Sequence, residues 1–171
     1  MIILYTTLMT IFIGADHRGF ELKNALIEYL QNKDIRVEDL GNYEHDPEDD
    51  YPDFAQKVAQ AVLQNPDQFL GIVICGSGIG VCMAANRNKG IYCGIGFDAE
   101  QVRHGRENDH INVLSIASDN FSQEQAQKMI DAFVTTQPID KDKYIRRLKK
   151  IDAVDQSSNT HKNPPTTTQN L

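Results

Sequence analysis

A chain of 171 residues, 40% of them hydrophobic, is long enough for one domain with a sizeable core. Its net charge of −7 and pI near 5.1 argue against a nucleic-acid partner, and no apolar run reaches the length of a membrane span. Cys75, Cys82 and Cys93 fit no paired framework and no metal-ligand spacing, so reduced thiols in a cytoplasm are expected.

Met1 to Met9 is apolar but lacks the basic flank and cleavage site of a signal peptide. Residues 1–8 read either as an extension from an upstream start codon or as an edge element. Thr10 to Ala15 is the first predicted strand, ending in Gly14-Ala15-Asp16-His17-Arg18-Gly19. Phe20 to Asn32 follows with Leu22, Ala25, Leu26, Tyr29 and Leu30 at helical spacing. Ile35 to Leu40 reads as a second strand. Gly41 to Asp53 is a polar loop whose acidic run, Asp46, Glu48, Asp49 and Asp50, reads as a solvated surface. Asp53 is the expected N-cap of a helix over Phe54 to Leu63.

Ile72 to Ile74 is a short β-branched run, expected as a buried parallel strand. The chain then turns through Cys75-Gly76-Ser77-Gly78-Ile79-Gly80 into a predicted helix over Val81 to Arg87. Ile91 to Phe97 is a fourth strand, and Asp98 caps a helix over Ala99 to about Glu107. Asn112 to Ile116 is a fifth strand. Ser122 and Gln125 match a capping box opening a helix to Val134, and Asp140 to Ile151 is a basic helix. Asp152 to Leu171 carries almost no apolar residue and is expected to be a disordered tail. Strands alternating with helices imply an α/β domain over residues 1–151: a three-layer α/β/α sandwich around a five-stranded parallel, Rossmann-like sheet. Ligands of such sheets bind beyond the carboxyl ends of the strands, which gathers Asp16, His17, Cys75 to Gly80 and Asp98.

The glycine turn carries the chemistry. Gly76, Gly78 and Gly80 leave backbone amides bare above a strand end, a setting for an anion. The spacing excludes a dinucleotide fingerprint, whose third glycine would fall on Val81, and no Lys-Ser or Lys-Thr follows to make a phosphate loop. A lone cysteine is often an inert core residue. A thiol beside a helix N-terminus, however, gains thiolate character. A base next to a row of amide donors is what proton abstraction beside a carbonyl requires.

Taken together, Gly-Ala-Asp-His-Arg-Gly-Phe from Gly14, Asp-Tyr-Pro from Asp50, Cys-Gly-Ser-Gly-Ile-Gly from Cys75, Ala-Ala-Asn-Arg from Ala84 and Asn-Val-Leu from Asn112 resemble the ribose-5-phosphate isomerase B family. That family also holds galactose- and allose-6-phosphate isomerases. The resemblance spans Thr10 to Ile151 and implies interconversion of an aldose and a ketose phosphate through an enediolate, with no metal and no organic cofactor. It implies that Cys75 is the base and that Ser77 polarises a substrate oxygen. It places the amides of Gly76, Gly78, Ile79 and Gly80 around the enediolate, Asp16 and His17 on sugar and phosphate, and Tyr51 along the sugar. Lys143 and Arg147 would hold phosphate in the neighbouring subunit's site, since the family builds its pocket across a homodimer, or within a tetramer.

The chain departs from the pattern in three places. The usual ring-opening histidine falls on Asn108, followed by Asp109 where Asn is common. The phosphate-binding arginine after Asn-Val-Leu falls on Asp119. Lys143 replaces a more usual Arg. The nearby His104 and His110 are the alternatives for ring opening. A pentose phosphate isomerase is therefore the leading expectation. An isomerase of a hexose phosphate or other sugar is the second, and a sugar-phosphate-binding module without catalysis the third.

Overall fold

In the computed structural model, residues 9–157 are described; residues 1–8 and the expected tail from residue 158 onward lie outside them. The chain divides into two compact units, one ending at Ile139 and the other beginning at Asp140, within the range expected for a single domain. The first unit runs β1 (Thr10–Ala15), α1 (Phe20–Gln31), β2 (Arg36–Asp39), α2 (Tyr51–Leu63), β3 (Phe69–Cys75), α3 (Ile79–Ala85), β4 (Cys93–Ile95), α4 (Ala99–Asp109), β5 (Val113–Ala117) and α5 (Gln123–Thr135). The strands form one parallel sheet in the order β2-β1-β3-β5-β4.

Period-two alternation divides the strand residues between the two faces. Ile11, Ile13, Ile72, Ile74, Leu114 and Ile116 point to one side, against Leu26 and Leu30 of α1, Val102 of α4 and Met129, Ile130 and Phe133 of α5. Phe12, Val73, Cys75 and Val113 point to the other, against Val58 and Val62 of α2 and Val81 and Ala85 of α3. Each fully buried Val, Leu, Ile or Phe stabilises the fold by about 1.5–3 kcal/mol. The result is the expected three-layer α/β/α sandwich.

Several boundaries move for identifiable reasons. α2 begins at Tyr51, with Asp50 in the extended cap position, so Asp53 stands inside the first turn and is not the cap. Pro52 fits there because the first helical residues have no intrahelical N–H bond to lose. α3 begins at Ile79, two residues before the expected start, because Gly78 takes a left-handed φ of 72° and serves as its cap. β4 shrinks to Cys93–Ile95, a sheet edge paired with β5 alone. α4 runs on to Asp109, so Asn108 and Asp109 are helical. The other two predicted caps are present: Asp98 accepts from the Gln101 amide, and Ser122 and Gln125 form a reciprocal box.

The second unit is the helix α6 (Asp142–Ser157), which continues past the expected end at Ile151, so residues 152–157, expected as the start of a disordered tail, are helical. No Gly or Pro interrupts residues 152–157, and a helix once formed gains a hydrogen bond with each added residue. Lys143 and Arg147 lie four residues apart on it, both exposed.

Candidate active site

β1 and β3 are adjacent, and from β1 the chain passes to β2 on one side and β3 on the other. Their carboxyl ends therefore flank the crevice where such sheets bind ligands. Cys75 is the last residue of β3, 5% exposed, and Asp16 is the first residue beyond β1, 6% exposed. The Asp16 amide donates to the Ile74 carbonyl at 3.2 Å, which ties the two strand ends together.

The turn after Cys75 is held from beneath by β5. Ser115, fully buried, donates its hydroxyl to the Gly78 carbonyl at 2.6 Å. A Cβ at Gly78 would come within 3.2 Å of both the Ser115 hydroxyl and the Ala117 amide. The left-handed φ and this close approach together require glycine there. Ser118 donates its amide and its hydroxyl to the Cys75 carbonyl, and the Asp119 amide donates to Gly76. On the open side the Tyr51 ring lies against Gly80, where a Cβ would meet it at 2.8 Å. The earlier start of α2 brings this ring to the turn. The Ser77 hydroxyl accepts from the Ile79 amide at 3.3 Å, so it is turned onto its own backbone, in an exposed position.

A polar cluster stands beside the thiol. One Asp16 oxygen accepts from the amides of Arg18 and Gly19 at 3.0 Å each. Burial still leaves the Asp16 carboxyl above its ordinary range, against the lowering by those amides and by His17. His17 Nδ1 lies 2.7 Å from Asp49 Oδ1, and Asn42 donates to the other Asp49 oxygen at 2.9 Å. The bond to Asp49 raises the His17 pKa above its ordinary value. Burial pushes the Asp49 carboxyl up, but the bonds from His17 and Asn42 outweigh it and leave the pKa lowered. Asp49 was grouped in the sequence with a solvated acidic run, yet its side chain is only 5% exposed. Nothing in that run marks it out from Asp46 or Asp50. Asp16, His17 and Asp49 also have ligand atoms within 4.8 Å of one another, the one such cluster among the described residues. Its Asp16 Oδ1, His17 Nδ1 and both Asp49 oxygens are already engaged in the hydrogen bonds above.

The structure thus brings together Asp16, His17, Tyr51, Cys75, Gly76, Ser77, Gly78, Ile79 and Gly80 at one edge of the sheet. It does not bring Asn108 and Asp109 there. They end α4 and precede β5, at the opposite end of the sheet from Cys75, which pairs with Ala117 at the carboxyl end of β5. His104 is exposed on the same helix, and His110 Nε2 lies 3.2 Å from the Ile139 carbonyl. Lys143 and Arg147 belong to the second unit. The sequence reading missed Asn42, Asp49, Ser115 and Ser118 as supports of the site; each is a common polar residue whose role depends on a distant partner.

A doubly wound parallel sheet with a buried thiol and a glycine turn at its switch point defines an α/β protein built to bind a small ligand above the strand ends. The family profile described as Ribose/Galactose Isomerase matches residues 11–151, and the chain belongs to that family. A probable ribose-5-phosphate isomerase B of Mycoplasma pneumoniae is 42% identical over 143 residues, 84% of this chain and 93% of the relative. The ribose-5-phosphate isomerase B of Mycolicibacterium paratuberculosis is 34% identical over 157 residues, 92% of this chain and 96% of the relative. The crystal structure of ribose-5-phosphate isomerase B from Mycoplasma genitalium with bound ribulose-5-phosphate superimposes with a TM-score of 0.82 at 38% identity, covering 86% of this chain and 97% of that one.

Proposed function

We propose that the protein interconverts ribose 5-phosphate and ribulose 5-phosphate, with Cys75 as the base. The observation that carries this reading is the position of the Cys75 thiol, at the last residue of β3 and at the head of the Gly76-to-Gly80 turn. The relatives named ribose-5-phosphate isomerase B, one of them holding ribulose-5-phosphate, support the choice of sugar. In the open-chain aldose the Cys75 thiolate removes the C2 proton. The electron pair moves into the C1–C2 bond and the carbonyl electrons onto O1. Backbone amides of the turn hold the enediolate charge, a role that works best where water is excluded. The thiol returns the proton to C1, the O2 hydroxyl proton passes to O1, and the ketose results. Oxidation at C2 is balanced by reduction at C1, so no external electron carrier enters.

Asp16 and His17 are assigned to the sugar and phosphate, and Tyr51 to the wall of the sugar site. Ser77, whose hydroxyl accepts from the Ile79 amide, keeps its own O–H to donate to a substrate oxygen. Asn108 and Asp109 face away from their own chain's Cys75, which favours a homodimer in which they, with Lys143 and Arg147, complete the partner's pocket. No metal is assigned, because the proton transfer described above moves an electron pair only within the substrate.

The test is an assay of the purified protein with ribose 5-phosphate, ribulose 5-phosphate, allose 6-phosphate and unphosphorylated pentoses. Turnover of the two pentose phosphates is expected. Turnover of the hexose phosphate alone would move the assignment to that substrate. Binding without turnover of any would make the protein a sugar-phosphate-binding module.

A further inference from the structure

Three turns meet above β3, and each is stitched to the next. The single Ser118 hydroxyl proton is shared between the Arg18 carbonyl at 3.0 Å and the Cys75 carbonyl at 3.1 Å. The Asp119 amide donates to Gly76 at 3.0 Å. Across this junction Arg18 Nη2 donates to Asp119 Oδ2 at 2.6 Å. The pair lies directly on Gly76: a Cβ there would meet Arg18 Nε at 2.5 Å and Asp119 Oδ2 at 2.8 Å. The guanidinium is therefore set one residue from the thiol, on a position where only glycine leaves room for it.

An ion pair of this kind adds little to stability. The Arg18 and Asp119 side chains are 56% and 45% exposed, and exposed pairs are heavily screened. Its chemistry points elsewhere. A guanidinium has five N–H donors in a planar fork, and Asp119 takes one edge of it. The solvent-facing remainder is suited to a bidentate grip on a phosphate oxygen pair. Asp119 alone would repel an anion at this mouth; paired, it aims the cation and is neutralised by it.

We propose that Arg18, held in place by Asp119, binds the phosphate group of the sugar phosphate at the mouth of the Cys75 site. This rests on the isomerase reading above for the identity of the ligand, and its test separates the two. Steady-state kinetics with ribose 5-phosphate and competition by inorganic phosphate are measured for the wild-type protein, Arg18→Ala, Arg18→Lys and Asp119→Asn. Loss of one charge-assisted contact in Arg18→Ala should raise KM and the phosphate inhibition constant by about ten- to a hundredfold, while kcat holds far better. Arg18→Lys, which keeps the charge and loses the fork, should fall between. Asp119→Asn should raise KM by a smaller factor, as expected of a positioning residue.

Phosphate binding is also measured by calorimetry, independently of turnover. If the wild-type protein turns over no pentose phosphate, weaker phosphate binding by Arg18→Ala than by wild type would sustain the anion site and remove only the isomerase reading. Active wild-type protein, with KM and phosphate affinity of Arg18→Ala within about twofold, as for any screened surface pair, would overturn the role of Arg18. So would a fall in kcat with phosphate affinity unchanged.

Discussion

If Cys75, 5% exposed at the end of β3, is the proposed base, its loss should register in chemistry before it registers in stability. Cys75→Ala should lower turnover by about 10²–10⁴-fold, the usual cost of removing a general base. Cys82→Ser and Cys93→Ser should cost little activity; Cys82 spends its thiol on the Cys93 carbonyl. Rates of the three variants, with circular dichroism to verify folding, decide the point. The His17–Asp49 pair gives a pH signature. His17 binds its proton more tightly when folded, so its contribution is complete below the ordinary value of 6.5 and fades as pH rises through the raised value. Asp49 has a lowered pKa, so its contribution is present above the ordinary 3.8 and fades as pH falls through the lowered value. The pair therefore stabilises most between 3.8 and 6.5, and the melting temperature should decline as pH rises from 6.5 through His17's raised pKa. Asp49→Asn should flatten that decline; an unchanged pH profile in this variant would show that the pair contributes nothing.

At the scale of elements, the Gly78 carbonyl and the Ser115 hydroxyl lock α3 onto β5. Ser115→Ala removes the 2.6 Å donor of the Gly78 carbonyl, which keeps the Cys82 amide at 3.3 Å, and should cost about 0.5–1.5 kcal/mol, measured by denaturant unfolding. Because the lock also fixes the turn, kcat should fall with it. This level of the fold was largely legible in the sequence. Most strands and helices of the first unit announced themselves by an apolar β-branched run, helical spacing or a cap, since those signals are local. The glycine turn was legible for the same reason: Gly76, Gly78 and Gly80 follow one another in a few residues. The supports of the turn were not. Ser115, Ser118 and Asp119 lie about forty residues away, and Asp49 reaches His17 across a loop, so their partners are set by the order of strands rather than by neighbouring residues.

For the whole molecule, the proposal that a second protomer completes the pocket predicts complementation. Cys75→Ala and Arg147→Ala are each expected to be impaired alone. Mixed in equal amounts and allowed to exchange subunits, they should recover roughly a quarter of wild-type activity, because half the dimers then carry one intact site. No recovery, despite exchange shown by mass spectrometry of tagged chains, would place the whole site within one chain. Extended dialysis against a chelator should leave the rate unchanged, since the proposed proton transfer to and from Cys75 needs no metal. Among the described residues, no helix is long and apolar enough to cross a membrane.

The strand order has a consequence for how the chain is made. β4 leaves the ribosome before β5, yet the finished sheet places β5 between β3 and β4. The nascent chain therefore cannot extend its sheet strand by strand. Until Val113–Ala117 emerges, β3 keeps an open edge and Cys93–Ile95 has nothing to pair with. Open edges template association with other chains. Synthesis stalled shortly before Val113 should yield a protease-sensitive, association-prone intermediate, and stalling beyond α5 a resistant one. A translational pause just ahead of β5 would thus expose the chain to aggregation more than a pause anywhere after α5.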